Sequence, residues 1–229
     1  MATPHLDNLS SNRKQVRRLL EIHGIVAGKG VGYKHDVEVL HKSAVVLLVA
    51  SWEAYVEDLA TNAFEALLAA AKDHTVFPPD VLTSASSALK KAADNREIWK
   101  LAGNGWKQVL KDHKLELFGQ YIGKLNTPKP KQIDGLFHAL IGISNISSRW
   151  HWKGMSEQDS ADKLEGLIEL RGSIAHRVTS SKKVYKYVVE DYVDFVTRLA
   201  VISSNRVLAF VTARTGTAPW SRYRFKRTT

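Results

Sequence analysis

The sequence predicts an all-α fold, a helical bundle organised around one long central helix. Three observations predict it. Apolar residues recur at three- and four-residue spacing in the long segments. Alternation with period two survives only as a weak stretch over residues 184–189. Residues 37–73 hold no glycine or proline and are rich in alanine, leucine and glutamate, as a long helix requires. No internal repeat interrupts this reading. The 229 residues, 44% of them hydrophobic, suit a single helical domain over 1–214 with a basic C-terminal tail over 215–229.

The first helix is expected over 5–27. Ser10, Ser11 and Asn12 offer caps, Val16, Leu19 and Leu20 an apolar face, and Arg13, Lys14, Arg17 and Arg18 a basic one. Gly24, Gly28, Gly30 and Gly32 follow. No Gly-Lys-Ser/Thr completes a phosphate loop and no strand precedes them, so they read as a linker. Asp36 is placed to cap the central helix, which at ~1.5 Å per residue reaches ~50 Å. Within it, Val46, Val49, Ala50, Val56 and Ala60 share a face with Glu53. An acid on an apolar face is costly unless partnered. Glu53 therefore reads either as a carboxylate paired to hold the fold or as one that orients a functional base; the two readings are compatible.

Phe77-Pro78-Pro79-Asp80 stops the central helix. Shorter helices are expected over 81–93, 95–102 and 106–123, then a basic, proline-broken loop over 124–131. Residues 132–143 return to helix, with Ile133, Leu136, Phe137, Leu140 and Ile141 inward. Residues 142–154 are irregular and crowded with aromatics and bases. Arg149, Trp150, Trp152 and Lys153 suit stacking on bases and contact with phosphates. The same pattern suits a loop pinned to the core by two tryptophans.

The next helix, 157–178, is opened by Ser156 and Asp159 in capping-box spacing. Leu164, Leu167, Ile168, Ile174, Ala175 and Val178 form its apolar stripe, and Arg171 falls in the middle of it. A permanent charge there has to be paired or used. His176 titrates near neutral pH. At about 100° per residue it points about 140° away from Arg171, so the two converge only if the helix bends or ends, or if two chains share the site. A polar break over 179–183 leads to a last helix over 188–212, with Val193, Val196, Leu199, Ala200, Leu208 and Val211 inward. The tail carries Arg222-Tyr-Arg-Phe-Lys-Arg227 and no acid. Such tails are commonly flexible; others bind RNA or a partner chain.

Composition narrows the chemistry. Lysine plus arginine exceed aspartate plus glutamate by 33 − 23 = +10, which favours an anionic partner such as nucleic acid. With no cysteine there is no disulfide framework and no thiolate chemistry. The first residues are polar and the longest apolar run, 44–50, is seven residues, so a cytoplasmic protein without a membrane partner is expected. No His-Glu-x-x-His and no nucleophile elbow occurs; neither metal nor other cofactor is expected. Arginine and histidine together suit metal-free phosphodiester chemistry. A neutral imidazole takes the proton of a ribose 2′-OH, and a guanidinium fork steadies the charged transition state. DNA lacks that hydroxyl, so the route is specific to RNA.

Arg171-Gly-Ser-Ile-Ala-His176 resembles the Arg-x4–6-His signature of HEPN domains. Residues 44–59, with Trp52-Glu53-Ala54-Tyr55 at their core, resemble the central-helix segment of the RiboL-PSP-HEPN type. Asn126-Thr-Pro128, Ile133 to Ile143 and Ser148-Arg-Trp150 are similar to that group's middle region. The resemblance covers most of residues 36–210. It implies an all-helical domain that dimerises across the motif helix, and a metal-independent endoribonuclease. Such proteins often belong to toxin–antitoxin, restriction or anti-phage defence systems, so an antitoxin or defence partner is implied too. The catalytic roles carry over to Arg171 and His176, with Glu53, Ser173 and Arg177 in support. Gly172 stands where many of these nucleases carry a polar residue, often asparagine. The superfamily also contains non-catalytic RNA-binding and adaptor members, which is the alternative reading.

Overall fold

The computed structural model describes residues 3–27, 37–121, 128–176 and 183–225. The helices are α1 (Pro4–Ala27), α2 (Glu38–Ala70), α3 (Pro79–Ala85), α4 (Ser87–Lys91), α5 (Gly105–Tyr121), α6 (Pro130–Ile141), α7 (Glu157–His176) and α8 (Lys186–Thr215). Short 3-10 turns lie at His74–Val76, Asn95–Leu101 and Ile146–Arg149. Among the described residues no strand forms, and Trp152 and Met155 make a single isolated bridge. The fold is all-α.

Helix α2 is the spine, packed against α1, α6, α7 and α8. Its apolar residues run nearly all round the helix, so its neighbours cover it on several sides. Leu48, Trp52, Tyr55, Leu59, Phe64 and Leu67 are almost wholly buried along it. The Trp-Glu-x-Tyr core divides by helical geometry. Trp52 and Tyr55 lie three apart on the inner face, ring centroids 5.4 Å apart and nearly parallel. The Tyr55 hydroxyl donates to the Ala200 carbonyl of α8 at 2.5 Å. Glu53 lies off that face, towards α7. Helices α2 and α8 are each long and apolar enough to cross a membrane by length and composition, but half of each apolar window is packed inside the bundle (50% and 56%).

Several boundaries move from their expected positions. α1 already begins at Pro4, so Ser10, Ser11 and Asn12 are interior to it and cap nothing. Asp36 lies outside the described residues, and Val37 makes no side-chain cap bond. α2 stops at Ala70, before the Asp73 cap of the next turn. The expected 81–93 helix is two, with Ser86 at the join. The alternating 184–189 stretch is not a strand: Val184 lies outside any helix, Tyr185 is extended, and α8 takes over at Lys186.

Two local devices aim the middle of the chain. Gly142 ends α6 at φ 79°, and a Cβ there would sit 2.3 Å from the Pro78 Cγ, so only glycine fits. Asp134 then accepts from the Ser147 backbone N–H at 2.8 Å and from its hydroxyl at 2.6 Å. These bonds fix the 3-10 turn that drives Trp150 into the core.

The described part of the tail is packed on the bundle. Gly216 ends α8 in a left-handed conformation. Trp220 is buried edge-on against His5, with centroids 4.7 Å apart. Asn205 clamps Tyr223 through both backbone groups, at 2.8 and 3.0 Å. His5 is itself fully buried. Its ring is bonded to Asn62 at Nδ1 (3.1 Å) and to Ser204 at Nε2 (2.9 Å). The Asn62 amide donates to Nδ1, so Nε2 carries the proton and donates to Ser204. Both nitrogens are satisfied only in the neutral ring, and burial holds its pKa down at about 4.

Candidate active site

Helix α7 starts with the capping box its sequence spells. Ser156 Oγ accepts from the Asp159 N–H at 3.1 Å, and the Asp159 carboxylate accepts from the Ser156 N–H at 3.1 Å and from its hydroxyl at 2.6 Å. Leu164, Leu167 and Ile168 are buried. The stripe does not stay buried. Ile174 is half-buried and Ala175 exposed, so the helix emerges from the core at the motif. Arg171, in that emerging turn, is half-buried. No hydrogen bond or ion pair of Arg171 occurs within the chain among the described residues.

Across from it on α2 stands Glu53, half-buried, with a carboxylate oxygen that is shielded from water and lacks a hydrogen-bond partner. Burial pushes its pKa up, the Arg171 charge pulls it down, and Glu57 pushes it up. Arg171 therefore acts on Glu53 through space, but no ion pair within 4.0 Å joins them. Glu57, one turn along α2, is also raised, by burial and then by Asp58. Glu57 carries no anomaly of its own in the sequence; only its i+4 spacing from Glu53 puts it on the same edge.

Ser173 is half-buried and its hydroxyl donates to the Leu170 carbonyl at 2.8 Å, leaving its acceptor lone pairs. A Cβ at Gly172 would meet no atom within 4 Å. Of His176 only the helical backbone is described, and Arg177 lies outside the described residues. On α2, Ala50 and Ala54, which lie either side of Glu53, are exposed, and so are Val39 and Ser43 further towards its N-terminus.

The basic-aromatic segment after α6 separates into two kinds of residue. Trp150 has no exposed surface; its Nε1 donates to Ser203 Oγ at 2.8 Å and its ring meets Trp52 edge-on at 6.0 Å. It offers no face to a base. Trp152 is half-buried, with the Arg198 guanidinium 4.7 Å from its centroid. Arg149 and Lys153 are exposed. Arg198 was not singled out from sequence; it holds an equal 4.7 Å contact with Phe225, a pairing that no local pattern announces. Among the described residues no group of three or more histidine, aspartate or glutamate side chains is placed to hold a metal.

An all-helical bundle with an Arg-x4-His motif on a helix that emerges opposite Glu53 of the apolar spine has the build of a HEPN domain. The RiboL-PSP-HEPN family model matches residues 7–207, and the chain belongs to that family. No curated protein and no solved structure matches the chain. Membership puts the function in the class of RNA cleavage or RNA binding, in a group whose domains often dimerise.

Proposed function

We propose that the protein is a metal-independent endoribonuclease that works as a homodimer, with Arg171 and His176 as its catalytic residues. The observation that carries the reading is Arg171 itself: a half-buried guanidinium, steered by Glu53 through space, whose donors meet no acceptor among the described residues. A cation held in this way is set for a phosphate. A dimer answers the angular problem. The small, exposed residues of α2 and the emerging end of α7 leave room for a second copy, and two-fold symmetry brings two sets of Arg171 and His176 to one cleft.

In that cleft a neutral His176 takes the proton from the 2′-OH, whose oxygen attacks the adjacent phosphorus. The bond to the 5′-oxygen breaks, and the second copy of His176, protonated, returns a proton to it. The products are a 2′,3′-cyclic phosphate and a 5′-OH. Arg171 stabilises the charge on the phosphoryl oxygens as the fifth bond forms. In this reading Arg149 and Lys153, exposed on the α6–α7 connection, hold strand phosphates. Such an enzyme fits a cytoplasmic toxin or anti-phage effector held in check by a partner protein.

Gly172 favours the second reading, a non-catalytic RNA-binding or adaptor module, because the polar group common at that place in the family is missing. Incubation of RNA with wild type, Arg171→Ala and His176→Ala in EDTA separates the two. Cleavage by wild type alone supports the enzyme; salt-dependent binding with no cleavage by any of the three supports the adaptor.

A further inference from the structure

A second cationic site lies away from the motif helix, between α1, α8 and the packed tail. It is a cleft of about 410 Å³. Leu9 and Val201 form part of its apolar floor, and Arg13, Arg222 and Arg224 line it with Tyr223 and Phe225. No residue of α7 and no acidic side chain lines it among the described residues. We propose that this cleft binds a nucleotide of a single-stranded RNA, with the three guanidinium groups taking its phosphates and the apolar and aromatic walls taking a base; the proposal rests on the RNA-directed reading above.

The cleft is built and held in place. Asn205 clamps the backbone of Tyr223 from both sides, and Trp220 anchors the chain just before it. These contacts present Arg222 and Arg224 from a fixed segment, which lowers the ordering cost of binding. Arg13 spends one donor on Thr197 Oγ1 at 3.2 Å, and among the described residues the rest of its fork makes no hydrogen bond. Its charge is under stress: burial first and then Arg17 push its pKa down, and only Asp194 opposes them. An anion in the cleft relieves that stress. The volume is in the range of a small-ligand pocket. An apolar floor beneath arginines, with aromatic rings at the side, is the combination that single-stranded nucleic acid selects, since bases stack and phosphates pair.

The adjoining cavity, of about 460 Å³, is a different environment. Phe225 lines both. In the second, Lys163 is bonded to Asp191 at 2.6 Å, Arg198 lies against Trp152 and Phe225, and Asp194 adds an acid. Its cations are already engaged, so the assignment stops at the first cleft.

The test uses the full chain carrying His176→Ala, which keeps RNA intact, and a short labelled single-stranded RNA. Arg222→Ala/Arg224→Ala is compared with Lys90→Ala/Lys91→Ala, an equal charge change on exposed α4. The tail pair is expected to weaken binding about tenfold or more near 0.1 M salt, and to flatten the slope of log affinity against log salt by about 1.4, for two phosphate contacts on a single strand. Cross-linking of 4-thiouridine RNA is expected to reach the peptide containing Tyr223. Equal losses from the two double variants would overturn the cleft, since net charge alone would then explain binding. So would unchanged affinity in the tail variant, which would leave an acidic protein segment as the occupant. The same Arg222→Ala/Arg224→Ala pair in a chain that retains His176 separates the two readings: cleavage that persists there, with unchanged affinity, sinks the cleft and spares the enzyme. RNA held in the cleft by a wild type that never cuts does the reverse.

Discussion

Replacement of Glu53 by glutamine tests whether the acid opposite Arg171 is poised or locked. Glu53 is pushed above its ordinary value near 4.5, chiefly by burial. A carboxyl with a raised folded pKa binds more protons in the native state than in the unfolded one. Its contribution to stability is therefore fullest below the unfolded value and declines as pH rises through the folded value. Glu53→Gln removes that decline. The variant is expected to be at least as stable as wild type at pH 7. The Arg171 attraction limits the cost without cancelling it. With the charges beyond 4.0 Å, an effective dielectric of about 20 caps the attraction at about 4 kcal/mol. Solvent reaches both half-buried groups, which reduces the coupling to about 1 kcal/mol. Urea denaturation of wild type, Glu53→Gln, Arg171→Ala and the double variant from pH 4 to 8 measures it as a double-mutant cycle. The expected coupling is about 1 kcal/mol at pH 7 and vanishes as Glu53 protonates. A loss of about 3 kcal/mol or more from Glu53→Gln at pH 7 would refute the reasoning, because only breaking a closed buried pair costs that much.

Three other outcomes follow from the same geometry. His5 has a folded pKa near 4 against 6.5 in the unfolded chain; stability present above pH 6.5 is lost as pH falls towards 4, by up to about 3 kcal/mol, and denaturation of His5→Gln across that window is expected to show a flatter slope. Trp150→Phe deletes the bond to Ser203 and is expected to cost about 1–2 kcal/mol in thermal denaturation while leaving RNA affinity unchanged; a selective loss of RNA binding would mean the ring reaches the substrate. Ala50→Arg puts a charge on the exposed edge of α2 without touching the core, and sedimentation is expected to show monomers that no longer cut RNA.

How much was legible from sequence depends on what kind of signal a residue carries. α6 shows clear helical periodicity, and all five of its inward residues are buried as expected. The capping box of α7 needed only a three-residue pattern. Glu53 and Arg171 each stood out as a charge among apolar neighbours. That they act on one another, yet do not close into an ion pair, is a fact of the α2–α7 spacing and leaves no local trace. Trp150 shows the opposite difficulty. An aromatic between Arg149 and His151 reads alike whether it stacks on a base or fills a core, and the Asp134 cap that decides the matter lies 13 residues back from Ser147. The tail was hardest to read. Its docking depends on Asn205, His5 and Arg198, distant in sequence and aperiodic, while its own composition is that of a solvated basic end.

The most direct test of the central claim is the identity of the ends produced when wild type cuts RNA in EDTA. The mechanism through Arg171 and His176 requires a 2′,3′-cyclic phosphate on one fragment and a 5′-OH on the other. It also requires that a single 2′-deoxy sugar at the cut abolish cleavage, and that His176→Ala lower the rate by about a hundredfold or more. A 5′-phosphate product, cleavage across the deoxy position, or an undiminished rate in His176→Ala would contradict it.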